Sequence, residues 1–452
     1  MGKLKILLAL VLITALGGFA FFILQRGNGQ FSTERTLPDG TLLRIGEISF
    51  TNGVHSFQAK SISGWKAKVV QVLPKTLSSR LGILPWGGCM TINGSGIGTN
   101  LGFFTFCDGP LANGGFVFTR LEVFDDLGNV FDGGGARGTL GTSSFDGRNM
   151  LRIDGWTPSA FPRRGKTLGL RYFENRGHGW QQVAGFLIPN PAPGNYPTWI
   201  ADPLPATKTN ENLAVTLLAL RSGLSQADEE RPARTNEIAV TQATLRVAES
   251  GRSANSWRPI AVEISDATGN HWMPFPHTIS TRHEEEVGDV FSFEGALWPG
   301  EAAWKMRFEF SRIADYEPGE VFTFGGITVP GATQVITLDN TTNVAGSTLQ
   351  LLAISGTKAE QPGNLKWETV KDRVNISIRA HPLPDGYRLN LLKVADDEGH
   401  EAKITREADW NAPERVYGFV APRDAKRLNF TLALHKSRFV EFLAKPEFVH
   451  AN

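Results

Sequence analysis

The chain has 452 residues, of which 41% are apolar and 20% are charged, and its formal net charge at pH 7 is +1. This composition is typical of folded globular protein and argues against long disordered regions. The near-zero charge, without a cluster of Lys and Arg, argues against nucleic acid as a partner, because phosphate binding needs an excess of basic residues.

The first predicted element is an apolar segment at residues 6–24, which follows Lys3 and Lys5 in a short tail. Its length is close to the ~20 residues that cross a ~30 Å hydrocarbon core as a helix. The lysines place the tail, residues 1–5, in the cytoplasm. We therefore expect a transmembrane signal anchor, a polar spacer at 25–35, and a C-terminal part outside the cytoplasm. The alternative is secretion after cleavage of a signal peptide.

The second predicted element is an amphipathic helix near residues 61–82. Its apolar residues recur at every fourth position, namely Trp65, Val69, Leu73, Leu77 and Leu81. This periodicity is that of one helix face, which Pro74 is expected to break or kink. We expect the helix to cap an open end of a β-sandwich; alternatively, its basic residues lie on the membrane surface.

The chain contains two cysteines, Cys89 and Cys107. They fall on neighbouring predicted strands, and outside the cytoplasm such a pair forms a disulfide readily. No CxxC or Cys/His spacing typical of a zinc site accompanies them. We therefore predict a disulfide, with two buried thiols as the alternative.

A strand–turn–strand pattern then organises the rest of the chain. It occurs three times, as LEVFDDLGN from Leu121, VEISDATGN from Val262 and LKVADDEGH from Leu392. Each copy alternates apolar and polar residues and enters an Asp-rich turn that glycine closes, as in a tight β-hairpin. The copies are a whole domain apart, which distinguishes them from a short solenoid repeat.

Other strands repeat with the hairpin. An apolar opening strand begins at Thr41, Ala214 and Ser347, and a strand led by proline follows each hairpin, after Pro162, Pro299 and Pro422. Each repeat then ends in a short apolar closing strand, FLIPNP from Phe186, ITVP from Ile327 and FLAKP from Phe442. We therefore predict three antiparallel β-sandwich modules, at residues 36–195, 196–333 and 334–452.

Each predicted module has about seven short strands with a turn every ten residues or so. In this respect the chain resembles membrane-anchored, tandem immunoglobulin-like β-sandwich proteins of the bacterial envelope over residues 36–452. The resemblance implies an all-β fold of three such sandwiches after one transmembrane helix. The immunoglobulin Cys–Trp–Cys spacing does not recur, so a jelly-roll sandwich is the alternative topology.

Several groups of residues with metal-binding or catalytic chemistry have simpler interpretations. The turn carboxylates suit calcium, but the second copy has Asp266 and Ala267 where the others have two aspartates, so turn formation explains them better. His271, His277 and His283 lack the spacing of a zinc helix and are expected in a solvated loop. No nucleophile motif is recognisable. We therefore predict no catalytic, cofactor or metal site.

Four tryptophans lie near predicted turns, where a ring can stack on a sugar: Trp257, Trp272, Trp298 and Trp410. Trp156, Trp298 and Trp410 fall in corresponding places ahead of the proline-led strands, and this recurrence favours packing instead. The sequence therefore predicts a non-catalytic, membrane-anchored envelope protein whose sandwiches bind a protein or glycan or serve as a scaffold. The alternative is carbohydrate binding through exposed tryptophans. A weaker alternative is a hydrolase whose carboxylates converge only in three dimensions.

Overall fold

The computed structural model describes residues 33–61, 83–84, 88–93, 99–109, 120–127, 129–134, 138–143, 150–158, 160–175, 180–225, 232–233, 239–272, 279–284, 288–294, 296–357, 373–408 and 414–449. Every regular element in these ranges is a β-strand, and nearly all strand pairs are antiparallel. The predicted all-β fold is confirmed.

The apolar segment 6–24 and, apart from Ser61, the predicted helix near 61–82 lie outside the described ranges. Within them, no helix has the length and apolar character needed to cross a membrane.

The first repeat contributes strands β1 to β12. They are β1 Glu34–Thr36, β2 Leu42–Asn52, β3 Val54–Ser61, β4 Ile83–Leu84, β5 Gly88–Asn93, β6 Thr99–Asp108, β7 Arg120–Phe124, β8 Val130–Gly134, β9 Gly138–Ser143, β10 Met150–Trp156, β11 Thr167–Asn175 and β12 Trp180–Pro189. Two antiparallel sheets arise from them, with the strand orders β1-β2-β6-β10-β9 and β12-β11-β7-β8. A small separate sheet has the order β4-β3-β5.

The remaining strands belong to the second and third repeats. Those of the second are β13 Ala206–Asn210, β14 Leu213–Ser225, β15 Ala239–Glu249, β16 Arg252–Ser253, β17 Trp257–Asp266, β18 His271–Trp272, β19 Ile279–Glu284, β20 Gly288–Glu294, β21 Trp304–Arg312 and β22 Val321–Thr328. Those of the third are β23 Val335–Val344, β24 Ser347–Thr357, β25 Arg373–His381, β26 Tyr387–Asp396, β27 Lys403–Ala408, β28 Glu414–Val420, β29 Arg427–Lys436, β30 Arg438–Ala444 and β31 Glu447–Phe448.

One strand order recurs in all three repeats. The order β1-β2-β6-β10-β9 returns as β13-β14-β15-β20-β19 and as β23-β24-β25-β28-β27. The smaller sheets are β12-β11-β7-β8, β18-β17-β21-β30 and β22-β29-β26. The repeat seen in the sequence is therefore also a repeat of topology.

Three apolar cores separate the paired sheets. The first core includes Leu43, Phe103, Leu170 and Phe186; the second includes Leu217, Phe291, Phe308 and Phe442; the third includes Leu351, Ile376, Phe430 and Leu432. Alternation along the strands produces them, since side chains two positions apart share a face. Burial of these apolar faces is the main stabilising contribution, at roughly 25 cal/mol per Å².

The last strand of the second repeat and the last strand of the third are exchanged between the two cores. ITVP belongs to β22, which pairs with β29, and its Ile327 lies in the third core. FLAKP begins at Phe442 in β30, which pairs with β21 and contributes to the second core. The prediction that each of these strands closes its own repeat is therefore wrong. It is correct for the first repeat, where β12 pairs with β11.

The first repeat carries an addition on the outer face of its larger sheet, where β3 and β5 form an antiparallel pair that we call the β3–β5 hairpin, although β4 lies between them in the sequence. Phe57 and Met90 of this hairpin pack on Phe104 and Phe106 of β6 in a separate apolar cluster. The hairpin lies close to the sheet at Gly102, where a Cβ atom would come within 2.2 Å of the ring of His55. Glycine is therefore required for this contact.

We predict that Gly102→Ala loosens the hairpin. The added methyl group must displace the buried His55, whose Nδ1 lies 2.7 Å from Ser49 Oγ, and such overpacking typically costs about 1–3 kcal/mol. Amide hydrogen exchange should become faster in β3 and β5. Gly319→Ala is the control, because no atom lies within 4 Å of a Cβ built there. Unchanged exchange in the hairpin would contradict the packing argument.

Candidate functional site

The three Asp-rich turns share one set of hydrogen bonds. In each, one carboxylate oxygen accepts the backbone N–H groups two and four residues later; for Asp266 these are Thr268 at 2.9 Å and Asn270 at 3.0 Å. Asp125 and Asp396 accept the equivalent pairs. The predicted turns are confirmed, and the carboxylates serve to stabilise them. Within the described ranges, no three His, Cys, Asp or Glu residues group as metal ligands do.

The glycines that close the second and third of these turns have the expected backbone. Gly269 and Gly399 adopt φ angles of 91° and 92°, a region that only glycine enters without steric cost. Their positive φ turns the chain so that the residue that follows donates to the aspartate. In the second repeat that residue is Asn270, whose side chain reaches beyond its own turn.

Asn270 forms a polar joint between the first and second repeats. Its Oδ1 accepts from the Arg163 Nε at 3.1 Å and from the Phe161 N–H at 3.3 Å, and its Nδ2 donates to the Phe161 carbonyl at 3.1 Å. Arg163 also donates to the carbonyls of Thr268 and Thr99. Burial lowers the pKa of Arg163 below its ordinary value, and the negative charge of Asp266 offsets only part of this effect. We call this group the first joint.

An ion pair and a tryptophan extend the first joint. Arg164 binds both carboxylate oxygens of Glu301 at 2.9 Å, and Glu301 is only 3% exposed. The remaining guanidinium N–H groups reach the carbonyls of Tyr196 and Pro197 in the connecting segment. Nearby, Trp298 of the second repeat packs into the first core. The two repeats are thus held by apolar and by charge-assisted contacts.

A second joint lies between the second and third repeats. Arg388 on β26 donates from Nε and Nη2 to the two carboxylate oxygens of Glu309 on β21. Beside them, His435 Nε2 lies 3.0 Å from Ser311 Oγ and 3.1 Å from Asn390 Nδ2. The Tyr316 ring contacts the imidazole edge-on. These residues are far apart in the sequence and meet only in the folded chain.

Ser311 and His435 are residue types that serve as nucleophile and base in enzymes, but here both are buried. A catalytic serine must reach a substrate, whereas Ser311 is 2% and His435 is 1% exposed. Burial lowers the pKa of His435 to about 4; Arg312 and Arg388 also lower it, whereas the Lys436 backbone and Glu309 raise it. The neutral imidazole is therefore a hydrogen-bonding part of the joint.

The tryptophans singled out in the sequence occupy different environments. Trp257 is 2% exposed in the second core, and Trp298 is 3% exposed in the first. Such buried rings present no face to a sugar, so packing describes these two. Trp272 is half-buried at the edge strand β18 and stacks on Phe293 with centroids 5.3 Å apart. Trp410 lies outside the described residues, so glycan stacking stays a prediction for Trp272 and Trp410.

The histidines and cysteines show no shared site in the described ranges. His271 pairs with Glu263 at 3.0 Å, while His277 and the side chain of His283 lie outside those ranges. Cys107 is buried in the first core, on the opposite face of β6 from the contact with the β3–β5 hairpin. Cys89 lies on β5, but its side chain is not described, so the disulfide stays a prediction.

Neither joint has a signature in the sequence. Glu309 and Ser311 alternate with core residues along β21, which is also the pattern of an ordinary solvent-facing strand surface. No known family model, curated protein or solved structure matches the chain.

We predict that the second joint makes stability depend on pH. Because the pKa of His435 is about 4 in the folded chain and 6.5 ordinarily, the unfolded chain binds the additional proton between these values. The free energy of unfolding should therefore fall as the pH falls from 6.5 to about 4, by on the order of 3 kcal/mol. Denaturant titrations at each pH would measure it.

His435→Gln is the control for this prediction, because it removes the titrating group and keeps a polar side chain. The variant is expected to be less stable at pH 7 and to lose less stability on acidification. The difference between the two pH curves isolates His435 from the carboxylates, which titrate in both proteins. Parallel curves would show that His435 does not link folding to pH.

Proposed function

We propose that this chain is a non-catalytic, membrane-anchored envelope protein in which three tandem immunoglobulin-like β-sandwich modules hold a binding surface outside the cytoplasm. The observation that carries the proposal is that the polar side chains named above form turns and contacts between repeats. The aspartates of the three repeated turns accept backbone N–H groups, and the buried Arg, Glu, Ser and His residues build the two joints.

The joints support a scaffold because they restrain adjacent modules. Domains joined only by a flexible linker move freely, whereas a large, desolvated contact holds them. Here the first joint combines the Arg164–Glu301 ion pair with Trp298, and two exchanged strands cross the second. A restrained series of modules suits a protein that presents a surface at a distance from its anchor.

Carbohydrate binding is the second candidate. The observation that favours it is the half-buried Trp272, which lies in the two-residue edge strand β18. An aromatic ring at a sheet edge can offer one face to the apolar face of a sugar. Trp410 likewise lies next to a turn predicted from the sequence.

We predict that residues beyond 24 lie outside the cytoplasm and that the anchor is retained. Protease added to spheroplasts of a bacterial host should digest this part of the full-length protein without lysis. In the control Lys3→Glu/Lys5→Glu, loss of the positive charge before the segment should reduce the digested fraction. Digestion only after lysis would reverse the orientation, and a mature N-terminus near Phe21 would replace the anchor by secretion.

We further predict binding without turnover. Full-length protein in detergent should be screened against polysaccharides, peptidoglycan and envelope protein fractions, with products measured alongside retention. Saturable retention by one component and no product is the expected result. If the component is a glycan, Trp272→Ala or Trp410→Ala should abolish retention, and Trp257→Phe should leave it unchanged. Product formation that one Asp or Glu substitution abolishes would disprove the non-catalytic function.

A further inference from the structure

The closing position of the smaller sheet is filled differently in the three repeats. In the first repeat, β12 follows β11 and returns beside it as a hairpin, with Glu174 opposite Gln181. In the second repeat, the same position beside β21 is filled by β30, which lies more than a hundred residues later in the chain. The second repeat therefore lacks a closing strand of its own.

The C-terminal strand β30 fits this position closely. It pairs with β21 in antiparallel register from Trp304–Ala444 to Phe310–Arg438. Val440, Phe442 and Ala444, at alternate positions, are 3%, 1% and 0% exposed in the second core. The apolar alternation thus matches a groove that the second repeat leaves open.

Further contacts attach the same segment to both sheets of the second repeat. β31 pairs with β14 in the larger sheet, and the Val449 N–H donates to the Ser222 carbonyl at 2.9 Å. Asn210 Nδ2 donates to the Phe439 carbonyl at 2.9 Å, and Arg438 pairs with Glu211 at 2.7 Å. The chain end therefore bridges the two sheets.

We propose that residues 438–449 are a closing strap: the second repeat is an incomplete sandwich whose strand-acceptor groove takes the C-terminal segment of the same chain, and its core closes only when that segment is seated. The partner that the groove selects is an extended segment with apolar residues at alternate positions. Without it, β21 presents an unpaired edge beside exposed apolar side chains, which is an unstable and association-prone arrangement.

The strap also interlocks the second and third repeats. Only Ser437 separates β29, in the third repeat's sheet, from β30, in the second repeat's sheet. In return, β22 pairs with β29, so Phe324 and Ile327 complete the third core. Release of the strap should therefore open the second core first, although the strap is continuous in sequence with the third repeat.

The test is hydrogen exchange on full-length variants. Phe442→Ala should speed amide exchange in β14 and β21 by about tenfold or more, with smaller changes in β25 and β28. The matched variants are Phe430→Ala on β29, expected to act on β25 and β28, and Phe186→Ala on β12, expected to act only in the first repeat. Faster exchange confined to the third repeat in Phe442→Ala would overturn the proposal.

A cross-linking experiment tests the pairing of β30 with β21 even if these variants are too unstable to compare. Arg307 and Glu441 are opposite each other in the β21–β30 pair, and their side chains are 49% and 53% exposed. In Arg307→Cys/Glu441→Cys, oxidation should join the two positions within one chain, as peptide mapping would show. The control Thr431→Cys/Leu443→Cys would join only if β29 and β30 formed a simple hairpin. Three results would each overturn the proposal: a cross-link in this control, a cross-link between two chains, or no cross-link between positions 307 and 441.

Discussion

Two crossed strand pairs, β21 with β30 and β22 with β29, hold the C-terminal part of the chain together. Backbone N–H and C=O groups at a sheet edge need partners, and a core needs its last strand to exclude water. Because each of these two repeats obtains that strand from the other, neither core is complete by itself. The positions of the two cores, and of the joint between them, depend on this exchange.

The second joint lies where these strands cross. Glu309 and Ser311 on β21 meet Arg388 and Asn390 on β26 and His435 on β29. A buried ion pair and imidazole add little net stability compared with apolar packing, but their removal one at a time is costly. We interpret them as groups that specify how the two repeats fit, while the exchanged strands supply the apolar burial.

The first joint also holds two adjacent repeats together, but no strand is exchanged between them. The first repeat closes on its own β12, so contact with the second repeat is made by a turn and by loops. The Asn270 side chain extends from an Asp turn that the first and third repeats also have, with Asn129 and His400 at the equivalent positions. In the second repeat the residue at the end of this common turn makes intermodule hydrogen bonds, because Phe161 and Arg163 of the first repeat lie within reach of the Asn270 side chain.

The sequence alone determined the all-β fold, the three-fold repeat and the Asp-turn chemistry, because each depends on residues that are close in the chain. Alternation places side chains on one strand face, and an aspartate followed three residues later by glycine forms its turn locally. The tertiary structure alone decided which strand closes each core and which polar residues meet. Backbone hydrogen bonds are chemically alike, so an alternating strand such as the one containing Phe442 fits any of these sheets equally well by pattern. Likewise, Ser311 resembles a solvent-facing residue until His435 is brought beside it.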